Sequence, residues 1–232
     1  MVDVEALRVV LEGVGHRYRG ATADTPSGVS AVVEPGEKAL LVGPVGSGKT
    51  TLLLLLAGIR RGTGRIAVGA EGSGGAAPGR ARPGVGYLWQ NPDDGLFLPG
   101  VLEDVALGPV NDGLLDGAAL ERARSALGDV GAGHLAEREV AKLSRGERQL
   151  VALAGLLARE PGLLLLDEPL SALDSLARKT VLALLAAHPA TVLLATHHGI
   201  PALAAAGFRI AVSLPPAGSR NGTAPGSGEK ET

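Results

Sequence analysis

The hydrophobic positions of this chain fall into short runs of two kinds. Runs of the first kind are four or five residues long and rich in valine and leucine, and several have no polar alternation, which is typical of buried β-strands. These predicted strands cover residues 7–11, 29–33, 39–42, 85–88, 163–166 and 191–195. Runs of the second kind have the length and composition of helices and cover residues 49–56, 120–127, 147–157, 173–185 and 200–206.

The order of these elements predicts an α/β fold. Strands that alternate with helices form a mostly parallel sheet with helices on both faces. The first two strands have no helix between them, which suggests an antiparallel β subdomain ahead of this core. A chain of 232 residues suits one large domain. We expect this domain to cover residues 1–214, with a helical subdomain at about 91–160.

Two segments are too poor in large apolar residues to offset the entropy of ordering them. Residues 69–83 consist mainly of glycine, alanine, proline and arginine, and residues 215–232 of glycine, serine, proline and charged residues. The first segment is expected to be a mobile surface loop and the second a disordered tail.

The composition excludes several kinds of partner and chemistry. The formal net charge is −2, so there is no basic field to hold a nucleic acid backbone, and nucleic acid is not an expected partner. The chain contains no cysteine, which excludes disulfides, thiolate metal sites and thiol catalysis. The longest near-apolar run, residues 150–158, is about half of the roughly 20 residues that a transmembrane helix needs. We therefore do not expect the chain to span a membrane.

A glycine-rich loop joins a predicted strand to a predicted helix. Its residues are Gly43, Pro44, Val45, Gly46, Ser47, Gly48, Lys49 and Thr50. Glycines let the backbone turn its N–H groups inward, so that they and the positive end of the helix face phosphate oxygens. Lys49 is expected to reach the β- and γ-phosphates, Thr50 to bind Mg²⁺, and Thr51 to contact the α-phosphate side. The alternative is a structural turn in a chain that contains 35 glycines.

An acidic pair follows the predicted strand 163–166. Asp167 and Glu168 would lie at the carboxyl end of this strand, where ligands of open α/β sheets bind. Asp167 can hold Mg²⁺, and Glu168 can act as the general base that polarises an attacking water. The alternative is an ordinary turn that ends the strand before Pro169.

Three polar or aromatic residues are further candidates. Gln90 closes the strand-like segment 85–89, from which its amide can reach the metal and the attacking water; alternatively it is a solvated residue before a turn. His197 follows the strand 191–196 and can bond the γ-phosphate. Tyr18 can stack on an adenine ring, or it is only a core residue. Arg60 and Arg61, which follow the helix 49–56, are expected to be solvated.

The order of these motifs resembles that of ABC transporter ATPase subunits, over roughly residues 7–212. The matching segments are 43–50, Gln90, Leu143-Ser144-Arg145-Gly146-Glu147, 163–168, 171–174 and His197. The resemblance implies a P-loop NTPase core with a mostly parallel sheet, an N-terminal antiparallel β subdomain and a helical subdomain. It also implies an ATPase that uses ATP and Mg²⁺.

The family resemblance further implies a head-to-tail pair with a second ATPase subunit, identical or different. In such a pair, Ser144 and Gly146 of one subunit face the γ-phosphate held by Lys49 of the other, and Asp174 bridges the two sites. Ser144 would also cap the helix that follows it, which can be its whole role. The chain departs from the family pattern at Arg145, where such signatures usually have glycine; the arginine either adds a charge that faces phosphate or crowds the interface.

A narrower resemblance concerns residues 90–97 and 103–109, which look like the energy-coupling-factor and cobalt/nickel-uptake ATPases. It implies a peripheral protein at the cytoplasmic face of the membrane that powers uptake of a metal ion or vitamin through an integral membrane transporter subunit. The apolar residues 96–99 either receive a helix of that subunit or fill the core of the helical lobe. The rival interpretation is a soluble ABC ATPase without a transport partner.

Overall fold

Two β-sheets and six α-helices form the part of the chain that this computed structural model describes, residues 4–69, 82–197 and 200–216. The strands are β1 Val9–Gly15, β2 Val29–Val33, β3 Lys38–Val42, β4 Thr63–Val68, β5 Val85–Leu88, β6 Leu163–Asp167, β7 Thr191–Thr196 and β8 Arg209–Ser213. The helices are α1 Lys49–Leu56, α2 Val101–Asn111, α3 Asp116–Asp129, α4 Arg145–Leu157, α5 Ser175–Ala187 and α6 Ile200–Ala205. Short 3₁₀ turns cover Pro92–Gly95, Gly133–Leu135 and Val140–Lys142. The predicted loop and tail lie almost wholly outside the described residues.

The larger sheet has five strands in the order β5-β6-β7-β3-β8, and all of its pairings are parallel, which confirms the predicted mostly parallel sheet. Every residue of β6 and β7 is buried. Along β6, Leu163 and Leu165 pack into an apolar cluster with α1 and β1, whereas Leu164 and Leu166 pack into a second cluster with the helices of the other face. This two-sided burial explains why these strands have no polar alternation.

The smaller sheet is antiparallel, with the order β2-β1-β4, so the predicted N-terminal β subdomain is confirmed. The hydrophobic pattern did not predict β4, because the first half of this strand contains Gly64 and Arg65 and is exposed. Its partner β1 runs from Val9 rather than from residue 7, and its ladders are irregular near Gly13.

Helices α2, α3 and α4 pack on one another and bury a shared apolar core. The strand and helix patterns missed α2, since Gly108 and Pro109 interrupt it near its end. Helix α3 begins four residues before the predicted start at 120, and α5 begins at Ser175 rather than 173 because the Asp174 side chain caps it. None of the helices in the described ranges has both the length and the apolar character that a membrane span requires.

Candidate functional site

The carboxyl ends of β3, β6 and β7 meet at one edge of the parallel sheet. This edge carries the glycine-rich loop, the acidic pair and His197, because each of them lies at or directly after the end of one of these strands. A cavity of about 370 Å³ opens there. It is lined by Tyr18, Thr25, Val45, Gly46, Gly48, Lys49, Thr50, Thr51, Gln90, Asp167, Glu168 and His197. Nominated residues from five separate segments therefore surround one space.

The glycine-rich loop depends on Gly48 at the start of α1. Gly48 has φ of 96°, and a Cβ at this position would lie 2.7 Å from the backbone nitrogen of Pro26. Ser47 beside it is 3% exposed, and its hydroxyl has no hydrogen-bond partner within the described ranges. A buried donor of this kind, next to the N–H groups of a helix start, suits a phosphate oxygen as its partner.

Lys49 is buried at the base of this loop, with 8% of its surface exposed. Its Nζ donates to the carbonyl oxygens of Gly43 at 2.8 Å and Pro44 at 3.0 Å. Both acceptors are neutral, so these two hydrogen bonds do not neutralise the ammonium charge. The ammonium group is thus held close to the loop in a form that can attract an anion.

Thr50 and Asp167 form a direct link between the loop and β6. The Thr50 hydroxyl donates to Oδ2 of Asp167 at 2.6 Å, and Asp167 is 1% exposed. Burial raises the pKa of Asp167, while the hydrogen bond from Thr50 opposes that shift. A hydroxyl and a carboxylate are oxygen ligands of the kind that Mg²⁺ prefers, and Gln90 adds an amide oxygen to the same cavity. The residues present therefore fit this ion.

Glu168 is buried, and the end of β7 orients its carboxylate. Oε2 accepts a hydrogen bond from the Thr196 hydroxyl at 3.1 Å, and Oε1 accepts one from the backbone N–H of His197 at 3.1 Å. Oε1 also contacts Nδ1 of the His197 ring. Glu168 has φ of 50°, which is uncommon for a residue other than glycine. The sequence did not indicate the contact with Thr196, because only the strand register brings that hydroxyl to the carboxylate.

Gln90 and Tyr18 both line the cavity. Gln90 is therefore more than a solvated residue before a turn, and Tyr18 is more than a core residue. Gln90 is exposed and also borders a second cleft of about 500 Å³, which runs past Asp93 to the start of α4. Tyr18 is 41% exposed, which excludes the prediction that it is only a core residue. Its hydroxyl shares a hydrogen bond of 2.6 Å with the Thr51 hydroxyl.

The turn at Ser144 begins α4. The Ser144 hydroxyl accepts from the backbone N–H of Glu147 at 3.3 Å, and the Glu147 carboxylate accepts from the Ser144 N–H at 2.7 Å. This reciprocal arrangement is a capping box, and the Ser144 N–H lowers the pKa of Glu147. A Cβ on Gly146 would lie 2.9 Å from the Ala172 carbonyl oxygen, so the turn packs closely on the segment after the acidic pair.

The three residues predicted to act between two subunits are Ser144, Gly146 and Asp174, and none of them lines the Lys49 cavity of its own chain. Of the described residues, those that line this cavity include neither Ser144 nor Gly146. Asp174 accepts hydrogen bonds from the backbone N–H groups of Leu176 and Ala177, each at 2.9 Å, and so caps α5. Arg145 is exposed and borders the 500 Å³ cleft.

Comparisons with known proteins agree with this geometry. The family model described as ABC transporter matches residues 27–171. An ABC transporter ATP-binding protein of Gloeobacter violaceus is 45% identical over 192 residues, covering 82% of this chain and 78% of that protein. A counterpart in Brucella suis is 42% identical over 170 residues, covering 73% and 71%.

Two solved structures are also similar. The cbiO1 protein of Clostridium perfringens, part of the ABC transporter complex cbiONQ, has a TM-score of 0.67 at 29% identity, covering 82% of this chain and 78% of that one. The ATP-binding cassette MJ0796, solved as a dimer bound to ADP and Pi, has a TM-score of 0.74 and 23% identity, covering 89% and 96%. At that identity the second similarity shows the fold alone.

Proposed function

The chain belongs to the ABC transporter family and is an ATPase, and from this premise we propose that it powers a membrane transporter of the energy-coupling-factor type from the cytoplasmic face of the membrane. The observation that supports this most is the convergence of Lys49, Asp167 and Glu168 on one cavity. The uptake type rests on the pattern of residues 90–97 and 103–109 and on the similarity to cbiO1. Its cargo would be a metal ion or a vitamin.

The substrate is ATP, and the glycine-rich loop receives its triphosphate. Lys49 exchanges its two carbonyl acceptors for oxygens of the β- and γ-phosphates, and the Ser47 hydroxyl, which has no hydrogen-bond partner among the described residues, gains one. Thr50, Asp167 and Gln90 are the residues that would hold Mg²⁺. This ion supplies neutralisation of the charge that develops on the phosphates.

Glu168 takes the proton of the attacking water. Its carboxylate is buried, and Thr196 and the backbone of His197 fix its orientation, so that little reorganisation is needed during the reaction. His197 keeps the carboxylate in place and offers its ring to the γ-phosphate. Gln90 borders both the cavity and the cleft toward α4, from which it can report the state of the phosphate to the helical subdomain.

A second ATPase subunit completes the site. Because Ser144 and Gly146 do not line the described cavity of their own chain, their helix start is available to the nucleotide of another subunit. The cap on α4 satisfies the Ser144 side chain without covering the exposed turn. Since Asp174 caps α5 within its own chain, it can bridge the two sites only through its remaining oxygen atom.

Arg145 is expected to add a charge that faces the phosphate of the neighbouring subunit. A cation in the first turn of a helix opposes the helix dipole, so this exposed arginine does not stabilise α4 through that interaction. The substitution Arg145→Gly should therefore lower the ATPase rate of the assembled protein by about 3- to 10-fold, whereas Arg145→Lys should retain most of it. Steady-state phosphate release measures both. A higher rate in Arg145→Gly than in the wild type would show instead that the arginine crowds the interface.

The surface for the membrane partner is proposed around Phe97. Phe97 is 73% exposed, while Leu96 beside it packs against the core of the helical subdomain. Leu96 therefore fits the predicted core role, and Phe97 is open to a partner helix. Buried Asp104 fixes the segment by accepting the backbone N–H groups of Phe97 and Leu98, each at 2.6 Å. Burial raises the pKa of Asp104. A groove of about 230 Å³ lies between Phe97 and α4 and suits an apolar helix of a partner.

Co-purification from membranes tests this proposal. The wild type should recover integral membrane proteins, and Phe97→Ser should reduce their yield by about 5- to 20-fold, as expected for an exposed aromatic anchor. Leu115→Ser is the matched control, because Leu115 is 84% exposed but lies at the start of α3, away from the groove. Recovery of the wild type only in the soluble fraction would favour the rival ATPase without a transport partner. Mass spectrometry of the bound proteins tests the uptake type.

A further inference from the structure

The ring of Tyr18 contacts residues near both ends of helix α1. Its hydroxyl is bonded to Thr51 in the first turn of the helix. The guanidinium carbon of Arg60, beyond the end of the helix, lies 5.2 Å from the centre of the Tyr18 ring. The ring of His16 meets Tyr18 edge to face, with the two centres 4.7 Å apart and the planes at 89°. Three neighbours therefore restrict the orientation of a side chain that is 41% exposed.

Backbone hydrogen bonds place Arg60 against this ring. The N–H groups of Ile59 and Arg60 both donate to the Leu54 carbonyl oxygen, which closes the turn after α1. Nδ1 of His16 is 2.7 Å from the carbonyl oxygen of Arg61, which ties the segment before Tyr18 to the same turn. The backbone position from which the Arg60 side chain extends is thus fixed, although the sequence pattern indicated only a solvated residue.

The Tyr18 side chain also borders the cavity of the candidate site. Of the described residues, those lining the 370 Å³ cavity include Tyr18 but neither Arg60 nor His16. Arg60 lies over the ring, and Tyr18 is 41% exposed, so part of its surface remains available in the cavity that Gly48 and Thr51 also line. A cation over an aromatic face is attracted by the ring quadrupole and holds the ring in place.

We propose that Arg60 is a positioning residue for nucleobase binding, which acts by holding Tyr18 ready to stack on the base of ATP. This inference rests on the proposed function, in which ATP is the substrate, and on the expectation from the sequence that Tyr18 stacks on the adenine ring. Preorganising the ring removes part of the entropy cost that stacking would otherwise include. Arg60 acts on the base and not on the triphosphate, so its effect depends on whether the ligand has a base.

The test compares two ligands and two neighbouring arginines by calorimetric titration. Arg60→Met should raise the Kd of Mg-ATP by about 3- to 5-fold and leave the Kd of inorganic tripolyphosphate unchanged. Arg61→Met is the matched control, because it removes the same charge one residue away while its backbone carbonyl stays beside His16. It should change neither Kd. The kcat of the assembled ATPase at saturating ATP should not change in either variant.

Two results would overturn the inference. One is an unchanged Kd of Mg-ATP in Arg60→Met; the other is an equal weakening of both ligands by both variants, which would mean that only the net charge matters. Tripolyphosphate binding in each variant reports that the loop is folded. A failure of the proposed function would look different, since wild-type protein would then bind ATP normally yet recover no membrane partner.

Discussion

Replacement of Glu168 by glutamine is expected to lower the steady-state ATPase rate by about two to three orders of magnitude. Glutamine has nearly the same shape and can still accept the hydrogen bond from Thr196, so the buried position at the end of β6 should be preserved. The amide cannot take the proton of the attacking water. ATP affinity should stay within about threefold of the wild type, because binding depends mainly on contacts with the loop.

The measurement is phosphate release at saturating Mg-ATP, with the Kd obtained by titration in the same buffer. Glu137→Gln is a suitable control, since its side chain is 77% exposed and forms an ion pair with Arg124 on the surface. This control should retain the wild-type rate within about twofold. Equal rates for wild type and Glu168→Gln would show that Glu168 is not the general base.

The same variant tests the paired site. With hydrolysis blocked and ATP present, Glu168→Gln should elute as a dimer, alone or together with a second ATPase subunit, because the nucleotide then stays between the two surfaces. Size-exclusion chromatography coupled to light scattering gives the mass directly. A monomer under all these conditions would contradict the proposal that Ser144 and Gly146 complete the site of another subunit.

Replacement of Lys49 by methionine is expected to weaken ATP binding by about 100-fold and to lower the ATPase rate by a similar or larger factor. Methionine preserves most of the buried stem, but it removes a charged donor that can form two or more hydrogen bonds to phosphate. The hydrogen bonds to the Gly43 and Pro44 carbonyls are lost as well, so a thermal melt should accompany the titration.

Lys179→Met is the control for this experiment. Lys179 is exposed on α5, so its substitution removes the same charge on a different helix from the loop. Its Kd for ATP should match the wild type. If Lys49→Met melted like the wild type and bound ATP within about threefold as tightly, Lys49 would have no direct contact with the phosphates.

Local patterns predicted the elements that place the site. The bounds of α1, β2 and β5 agree with the predicted ranges, since each is a continuous run of residues that favour one type of element. Helix α2 and strand β4 were missed because glycine and proline interrupt their patterns, and in both cases tertiary packing stabilises what local propensity does not. Strand β8 was missed too; it is short, largely exposed and stabilised by pairing with β3.

The sequence by itself determined the motif order, the α/β class and the family, because these depend on residue types and spacings along the chain. Only the tertiary structure decided which atoms meet: the Thr196 hydroxyl on Glu168, the carbonyl acceptors of Lys49, and Arg60 over the Tyr18 ring. Each of these contacts depends on strand register or on a turn that brings separate segments together. Side-chain contacts within a few ångströms depend on that three-dimensional placement, and it cannot be read from residue spacing along the chain.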